Sequence, residues 1–363
     1  FGYAPVAAWP STPPASFPEE AAGPPLVADT SIKIDFPTGF SIASSLAWAG
    51  DAGGVRLELL YTAGDSSTAT IAFAQNRETG GPLQTRIETL VNLQNHFLPV
   101  GMELTLWWRL VNAEGMTIAQ SDTIAAMWYD TARDWTEIAS DQVILHSYAL
   151  ADDFAAETLS LLQETVDQLE TRFDLAMDLP VRVWVYETYG DFQSALPPNS
   201  RESVAALAFT GYQTISAIVP DGNERALLRV LPHEISHQVL HQAAANAFSF
   251  VPVWFDEGMA THVQTGGTDG YMDMVVRAED RGELFRLDSL NAGFPFSPAQ
   301  ATLAYATSWS AFAYIEGRWG DEGIGGFIDA IAAGLPFAEA VGAALGISAN
   351  QLNDDWAAWV ASQ

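Results

Sequence analysis

The sequence predicts a multidomain protein in which an all-β region is followed by an α+β region with a helical C-terminal part. Three observations carry this. The chain has 363 residues, 48% of them hydrophobic, with 19 Phe and 12 Trp; domains usually run ~100–200 residues, so this length and apolar content supply more than one core. From about residue 29 to 128, apolar residues alternate in short runs at every second position, the period of a half-buried strand. From about residue 138 they recur every three to five positions, the period of a helix packed on one face.

The elements follow in order. Residues 1–28 are rich in Pro and Ala (Pro5, Pro10, Pro13, Pro14, Pro18, Pro24, Pro25) and read as an extended tether or a disordered terminus. Residues 29–128 hold about seven short strands: Ile32, Ile34 and Phe36 alternate, as do Val55, Leu57 and Leu59, then Thr68, Thr70 and Ala72, then Leu104 to Leu110. A turn at Asn112 to Gly115 precedes a final strand over Thr117 to Met127. The Leu98-Pro99-Val100-Gly101 turn before a Trp-rich strand resembles immunoglobulin-like or fibronectin type III sandwiches, an architecture that implies no function by itself. The pairs Trp107-Trp108 and Trp128-Tyr129 are expected in the sandwich core rather than in a carbohydrate platform.

A linker is expected over 129–137, and the second domain over 138–363. Phe154, Leu159, Leu162, Val166, Leu169 and Phe173 mark a helix from Asp152 to Phe173, with Asp152 or Asp153 as its cap. Strands are expected at Val181 to Tyr186 and Tyr212 to Val219, and a helix from about Asn223 to Ala244 with Pro232 inside it. Four further helices read as Tyr305–Arg318, Gly323–Ala333, Pro336–Leu345 and Ala349–Ala361.

Composition excludes several classes. Acids number 45 and cations 15, a net charge of -30, and only Lys33 is a lysine. Such a surface repels phosphate backbones and anionic lipid, which speaks against a nucleic-acid partner; solvation at high salt is another reading of it. No apolar run reaches the ~18 residues that cross a bilayer, so no membrane insertion is expected. No basic segment precedes an apolar one at Phe1, so no leader peptide is read. With no cysteine in the chain, disulfides, thiolate nucleophiles and Cys-based metal sites are excluded. A cysteine-free chain suits a secreted or envelope protein that does without disulfides, and equally a cytosolic one; an extracellular or cell-envelope location is the expectation. Oligomeric state is not legible.

One segment carries chemistry: Leu231-Pro232-His233-Glu234-Ile235-Ser236-His237-Gln238-Val239-Leu240-His241. It contains H-E-x-x-H, which a chain of this composition produces by chance about 0.006 times. Residues i and i+4 of an α-helix differ by ~40° of rotation and ~6 Å of rise, so His233 and His237 share a face and can hold one metal ion. Glu234 lies ~60° round from His237, where a carboxylate reaches a water on the metal without ligating it. A metal site of two histidines needs a third protein ligand and an open position. About twenty residues on, Glu257 sits among Trp254, Phe255 and Met259. A carboxylate in apolar company is costly unless it is paired or metal-bound, which makes Glu257 the expected ligand.

H-E-x-x-H followed by W-x-x-E-G-x-A (Trp254 to Ala260) resembles the gluzincin metallopeptidases, which include thermolysin-like and aminopeptidase N-like groups. It is most similar to the bacterial peptidase MA-type domains, which also carry a β-sandwich before the catalytic part. The resemblance covers about 140–360 and implies a thermolysin-like α+β fold. It further implies one zinc ion per chain on His233, His237 and Glu257, with Glu234 as the catalytic base. The family uses a tyrosine, or a histidine in the thermolysin-like group, to stabilise the oxyanion. Tyr305, opening the Tyr305-Ala-Thr-Ser-Trp stretch at a helix start, looks like that tyrosine; a core-packing aromatic is the alternative.

Two departures matter. The G-x-M-E-N motif that binds a substrate's free amine in the aminopeptidase N-like group is missing before His233, so endopeptidase rather than N-terminal exopeptidase activity is expected. Thr261 stands where the thermolysin-like group has an Asp that orients a zinc histidine. That support must come from elsewhere. Asp256 is one candidate, with an N-cap or surface role as its alternative; His241 and His262 are others, with solvated or core-packed roles as theirs. His96 and His146 read as structural. The strand from Tyr212, through Thr214 and Ser216, is expected to offer its edge to an extended substrate. The function expected is zinc-dependent hydrolysis of peptide bonds, with peptides or proteins as partners. The alternatives are a non-peptide hydrolase on the same scaffold, or a catalytically inactive metalloprotein serving as an extracellular binding or adhesion module.

Overall fold

The computed structural model describes residues 24–363 apart from 65, 67, 94–96, 149, 199, 201–204, 220–222, 247–249 and 265. The expected tether therefore lies outside the described residues as far as 23, and so does His96. The chain forms two compact units, residues up to 135 with 193–200, and residues 136–192 with 201–363.

The first unit is β-sheet. Its strands are β1 (Val27–Asp35), β2 (Gly39–Trp48), β3 (Arg56–Ala63), β4 (Thr70–Asn76), β5 (Leu83–Asn92), β6 (Met102–Val111), β7 (Thr117–Gln120) and β8 (Ile124–Trp128). One sheet has the order β1-β2-β5; the other runs β4-β3-β6-β7, with β8 also on β6. The period-two pattern turns Ile42, Leu46, Ile87 and Val91 of the first sheet and Leu57, Leu59, Leu104 and Leu106 of the second into one shared core, which holds Trp108 and Trp128. The Trp108 indole donates to Ser44 Oγ at 3.0 Å, which lets a large amphipathic side chain be fully buried.

The strand expected over Thr117 to Met127 is two strands. Both β7 and β8 pair antiparallel with β6, at its Arg109–Val111 and Met102–Leu106 ends. Between them Ser121 Oγ accepts from the Trp108 backbone N–H at 3.0 Å, taking over one rung while the chain sidesteps. Within this unit the Glu58 side chain is fully buried, with Arg109 Nη2 at 2.7 Å and Arg56 Nε at 2.5 Å. Arg109 is the cross-strand partner of Glu58, so register alone brings the charges together.

The second unit starts with β9 (Thr136–Ala139), β10 (Val143–Ser147), α1 (Asp152–Phe173), β11 (Val181–Tyr186), α2 (Tyr189–Ser194), β12 (Ala206–Phe209) and β13 (Thr214–Ile218). It continues with α3 (Leu227–Ala243), α4 (Val253–Val263), α5 (Tyr271–Asp280), α6 (Pro298–Ala332), α7 (Phe337–Leu345) and α8 (Ala349–Val360). The sheet order is β12-β13-β11-β10-β9, with β10, β11 and β13 parallel and both outer strands antiparallel. Val143, Leu145, Val183, Val185 and Ile215 face Leu162, Val166, Leu231 and Ile235 of α1 and α3 in one core. The alternate residues point to the other face, where His146 stacks on its β11 neighbour Trp184 at 3.9 Å and 9°. No described helix is long and apolar enough to cross a membrane.

Three local expectations need correction. Helix α1 has the expected span, but Ala151 is its N-cap and no side chain caps it; Asp152 and Asp153 lie in the first turn, where their charge favours the helix dipole. Helix α6 begins at Pro298 behind Ser297, so Tyr305 lies inside it and not at its start; the element breaks at Gly320, whose φ of 67° suits glycine. Third, β13 is not an edge. It pairs with β11 on one side and β12 on the other. Thr214 and Ser216 are fully buried and Tyr212 sits in the 3₁₀ turn before the strand, so these residues offer no edge to a substrate. The reason is the four-residue strand β12, which ends the sheet.

Candidate active site

Helix α3 runs through Pro232 from Leu227 to Ala243 and packs its Leu227, Leu231, Ile235 and Val239 stripe into the core. The opposite stripe therefore faces outward with Arg229, His233, His237 and His241 one turn apart. Helix α4 places Glu257 across from it. His233 Nε2 lies 3.4 Å from Glu257 Oε2 and His237 Nε2 lies 3.9 Å from it. One ligand atom from each of the three residues falls within 4.8 Å of the others.

This donor set fits a zinc ion. Tetrahedral ligands at ~2.0–2.1 Å from zinc stand roughly 3.3 Å apart, close to the separations here. Glu257 Oε2 is buried and has no hydrogen-bond partner. A buried carboxylate oxygen left that way is costly unless a cation meets it.

Asp256 supplies the support that Thr261 cannot. Its Oδ1 is 2.5 Å from His237 Nδ1 and its Oδ2 is 2.8 Å from His241 Nε2. One carboxylate thus fixes the ring of His237 so that Nε2 turns toward Glu257. Burial opposes a protonated imidazole at His237, but the Asp256 charge outweighs it and lifts the pKa to about 10. A proton and a cation therefore compete for Nε2, and metal binding releases a proton. Burial likewise works against the Asp256 anion, yet the two imidazoles hold its carboxyl well below the usual range.

Glu234 is held from the sheet side. The Ala208 N–H of β12 donates to Glu234 Oε2 at 2.7 Å. Burial pushes its carboxyl above the ordinary range, against the pull of His233 and His237.

His262 does not join this group. It lies five residues after Glu257, ~140° round α4, and its Nε2 meets Glu316 Oε2 at 3.1 Å instead. Glu316 also binds Arg172 of α1, so His262 belongs to a network joining α1, α4 and α6. Tyr305 is half-buried on α6, its ring edge-on to Phe294 at 4.9 Å. Helix α4 touches α6 closely beside the ligand: a Cβ on Gly258 would stand 2.6 Å from Ser308 O.

Sequence reasoning missed three residues. Ala208 was hidden because β12 is short, although Gly211 in a four-residue connection between apolar runs is a hairpin signal. Arg229 shares the α3 stripe with His233, and the period alone could have found it. Tyr271 opens α5; burial raises its hydroxyl pKa, Arg229 lowers it and Glu257 raises it, so both charges act on this phenol.

A helix-borne pair of histidines, a glutamate from the next helix and a second glutamate beside them form a candidate metal centre. The family model of the peptidase MA superfamily matches residues 162–362, more than half of the chain, and the protein belongs to that superfamily. Among solved structures, an aminopeptidase N family protein from Idiomarina loihiensis is similar at 11% identity and TM-score 0.43, over 91% of this chain and 76% of that one. A mutant of an M1 zinc metallopeptidase from Deinococcus radiodurans is similar at 13% identity and TM-score 0.38, over 94% and 96%. No curated protein sequence matches the chain.

Proposed function

We propose that the protein is a zinc-dependent endopeptidase. The observation that carries the reading is the convergence of His233, His237 and Glu257 beside the Glu234 carboxylate, whose pKa is raised. Zinc on the three ligands supplies a Lewis acid that makes water nucleophilic near neutral pH. Glu234 accepts the proton of the attacking water at its free carboxylate oxygen and passes it to the departing amine nitrogen. Its raised pKa suits both halves of that task. Ala208 N–H keeps the carboxylate aimed into the cleft. Tyr305 donates its hydroxyl to the oxyanion of the tetrahedral state. Asp256 holds His237 in the tautomer that offers Nε2. The mixed sheet packed on helix α3 supports a thermolysin-like fold as part of the same reading, and β12, as the end strand, offers the edge for an extended peptide. In the first unit, a three-stranded sheet facing a five-stranded one, in which β7 and β8 both flank β6, supports a fibronectin III-like sandwich.

The test is direct. Glu234→Gln keeps about one zinc per chain and loses roughly 10³-fold in cleavage of unstructured peptides, whereas His237→Ala loses the zinc itself. Cleavage at the parental rate by Glu234→Gln, or zinc near zero in the parental protein, overturns the reading.

A further inference from the structure

Arg229 stands out in a chain with three acids for every cation. Ten of its fellow arginines, among them Arg56, Arg109, Arg172 and Arg286, lie within ion-pairing distance of a carboxylate. Among the described residues Arg229 has no such partner, although acids lie nearby. It lines a cavity of about 510 Å³ with Glu157, Glu164 and Arg225. Of these, Glu157 faces Arg225 at 4.0 Å and Glu164 accepts from Ser160 at 3.1 Å.

Arg229 stands on the same stripe of α3 as His233 and His237. It is one helical turn before His233, ~6 Å along the axis and ~40° round. Its head lies against the loop that follows α4: a Cβ built on Gly267 would stand 3.1 Å from Nη1. Gly267, at φ +86°, has none and lets the cation approach. Beyond that loop stands Tyr271, which feels both Arg229 and the ligand Glu257. An exposed guanidinium therefore borders the cleft and is left without its own carboxylate.

We infer that Arg229 is a specificity residue that binds a carboxylate of the substrate peptide, either an acidic side chain or the free C-terminus. An extended peptide advances ~3.3 Å per residue, so a carboxylate on Arg229 lies within about two residues of the scissile bond. The planar fork of arginine matches a carboxylate in two parallel hydrogen bonds. This rests on the peptidase reading for its setting, and its test is a binding measurement so that the two can fail separately.

The probes are hexapeptides in matched pairs, Glu against Gln at each position in turn, and free C-terminus against carboxamide. Their affinity for the full chain carrying Glu234→Gln is measured by calorimetry. The carboxylate twin is expected to bind roughly tenfold tighter. Arg229→Ala in that background brings the ratio to about one, Arg229→Lys keeps part of it, and Arg229→Glu reverses it toward Lys-bearing peptides. Preference in the Glu series assigns a side chain, and preference in the terminal series assigns the α-carboxylate. Twins that bind equally, or a preference that survives Arg229→Ala, overturn the proposal. A preference that holds in a protein without zinc or hydrolysis leaves it standing and overturns the peptidase reading instead.

Discussion

Two glutamates, one in each unit, sit among cationic or potentially cationic side chains, Glu58 fully buried and Glu257 partly so, and they are satisfied differently. Glu58 is enclosed by Arg56 and Arg109, with both oxygens occupied at 2.5 and 2.7 Å. Glu257 faces His233 and His237 at 3.4 and 3.9 Å, and its Oε2 takes no hydrogen bond. The first carboxylate is complete within the fold. The second is built incomplete, with a protonated His237 that gives up its proton when a cation arrives. Permanent guanidinium charges close a site, whereas titratable imidazoles held at slightly longer range keep one open.

The largest effect that would break this contrast lies at Glu58. Glu58→Ala should cost about 2–3 kcal/mol in the unfolding of the first unit, because it strands two guanidiniums; their partial exposure keeps the figure below that of a fully buried pair. Urea melts followed by tryptophan fluorescence check this, and zinc content should not change. At Asp256 the opposite pattern is expected. Asp256→Asn should weaken zinc binding by roughly 10–100-fold through His237, with little loss of stability, as read by competition with a chelator. Zinc affinity unchanged there would remove Asp256 from the site.

A third buried group, His146, tests the neutral case. Burial, helped by Arg182, pushes its pKa down to about 3 from an ordinary value of 6.5. The unfolded chain then binds more protons than the folded one between those values, so stability falls as pH drops below 6.5. A loss on the order of 1–2 kcal/mol between pH 7 and pH 5 is expected in the parent, and it should vanish in His146→Phe.

Local period made part of this legible. The span of α1 and the strand from Val181 to Tyr186 follow from spacing alone, as does the shared face of His233 and His237. What depends on pairing across the chain was not. Strand β12 has four residues, and only β13 shows that they form a strand. Asp256 sits ~100° from Glu257 on α4, and its reach to His237 depends on how α3 and α4 cross. His262 was placed near the cleft by its number in the chain, and the turn of α4 carries it to Glu316. Tyr271 meets Arg229 only after the loop beyond α4 has folded back.

Gly258, next to the ligand, has a further consequence for how such a protein changes over generations. Because the backbone of α4 rests on Ser308 of α6 with no side chain between, Glu257 is indexed to a core helix rather than to the loops around the cleft. The loops that follow α4 and precede α6 can then be lengthened, shortened or recoded without moving Glu257 relative to α6. New substrate preferences become accessible by changing the rim alone, while any residue larger than glycine at 258 is closed to drift.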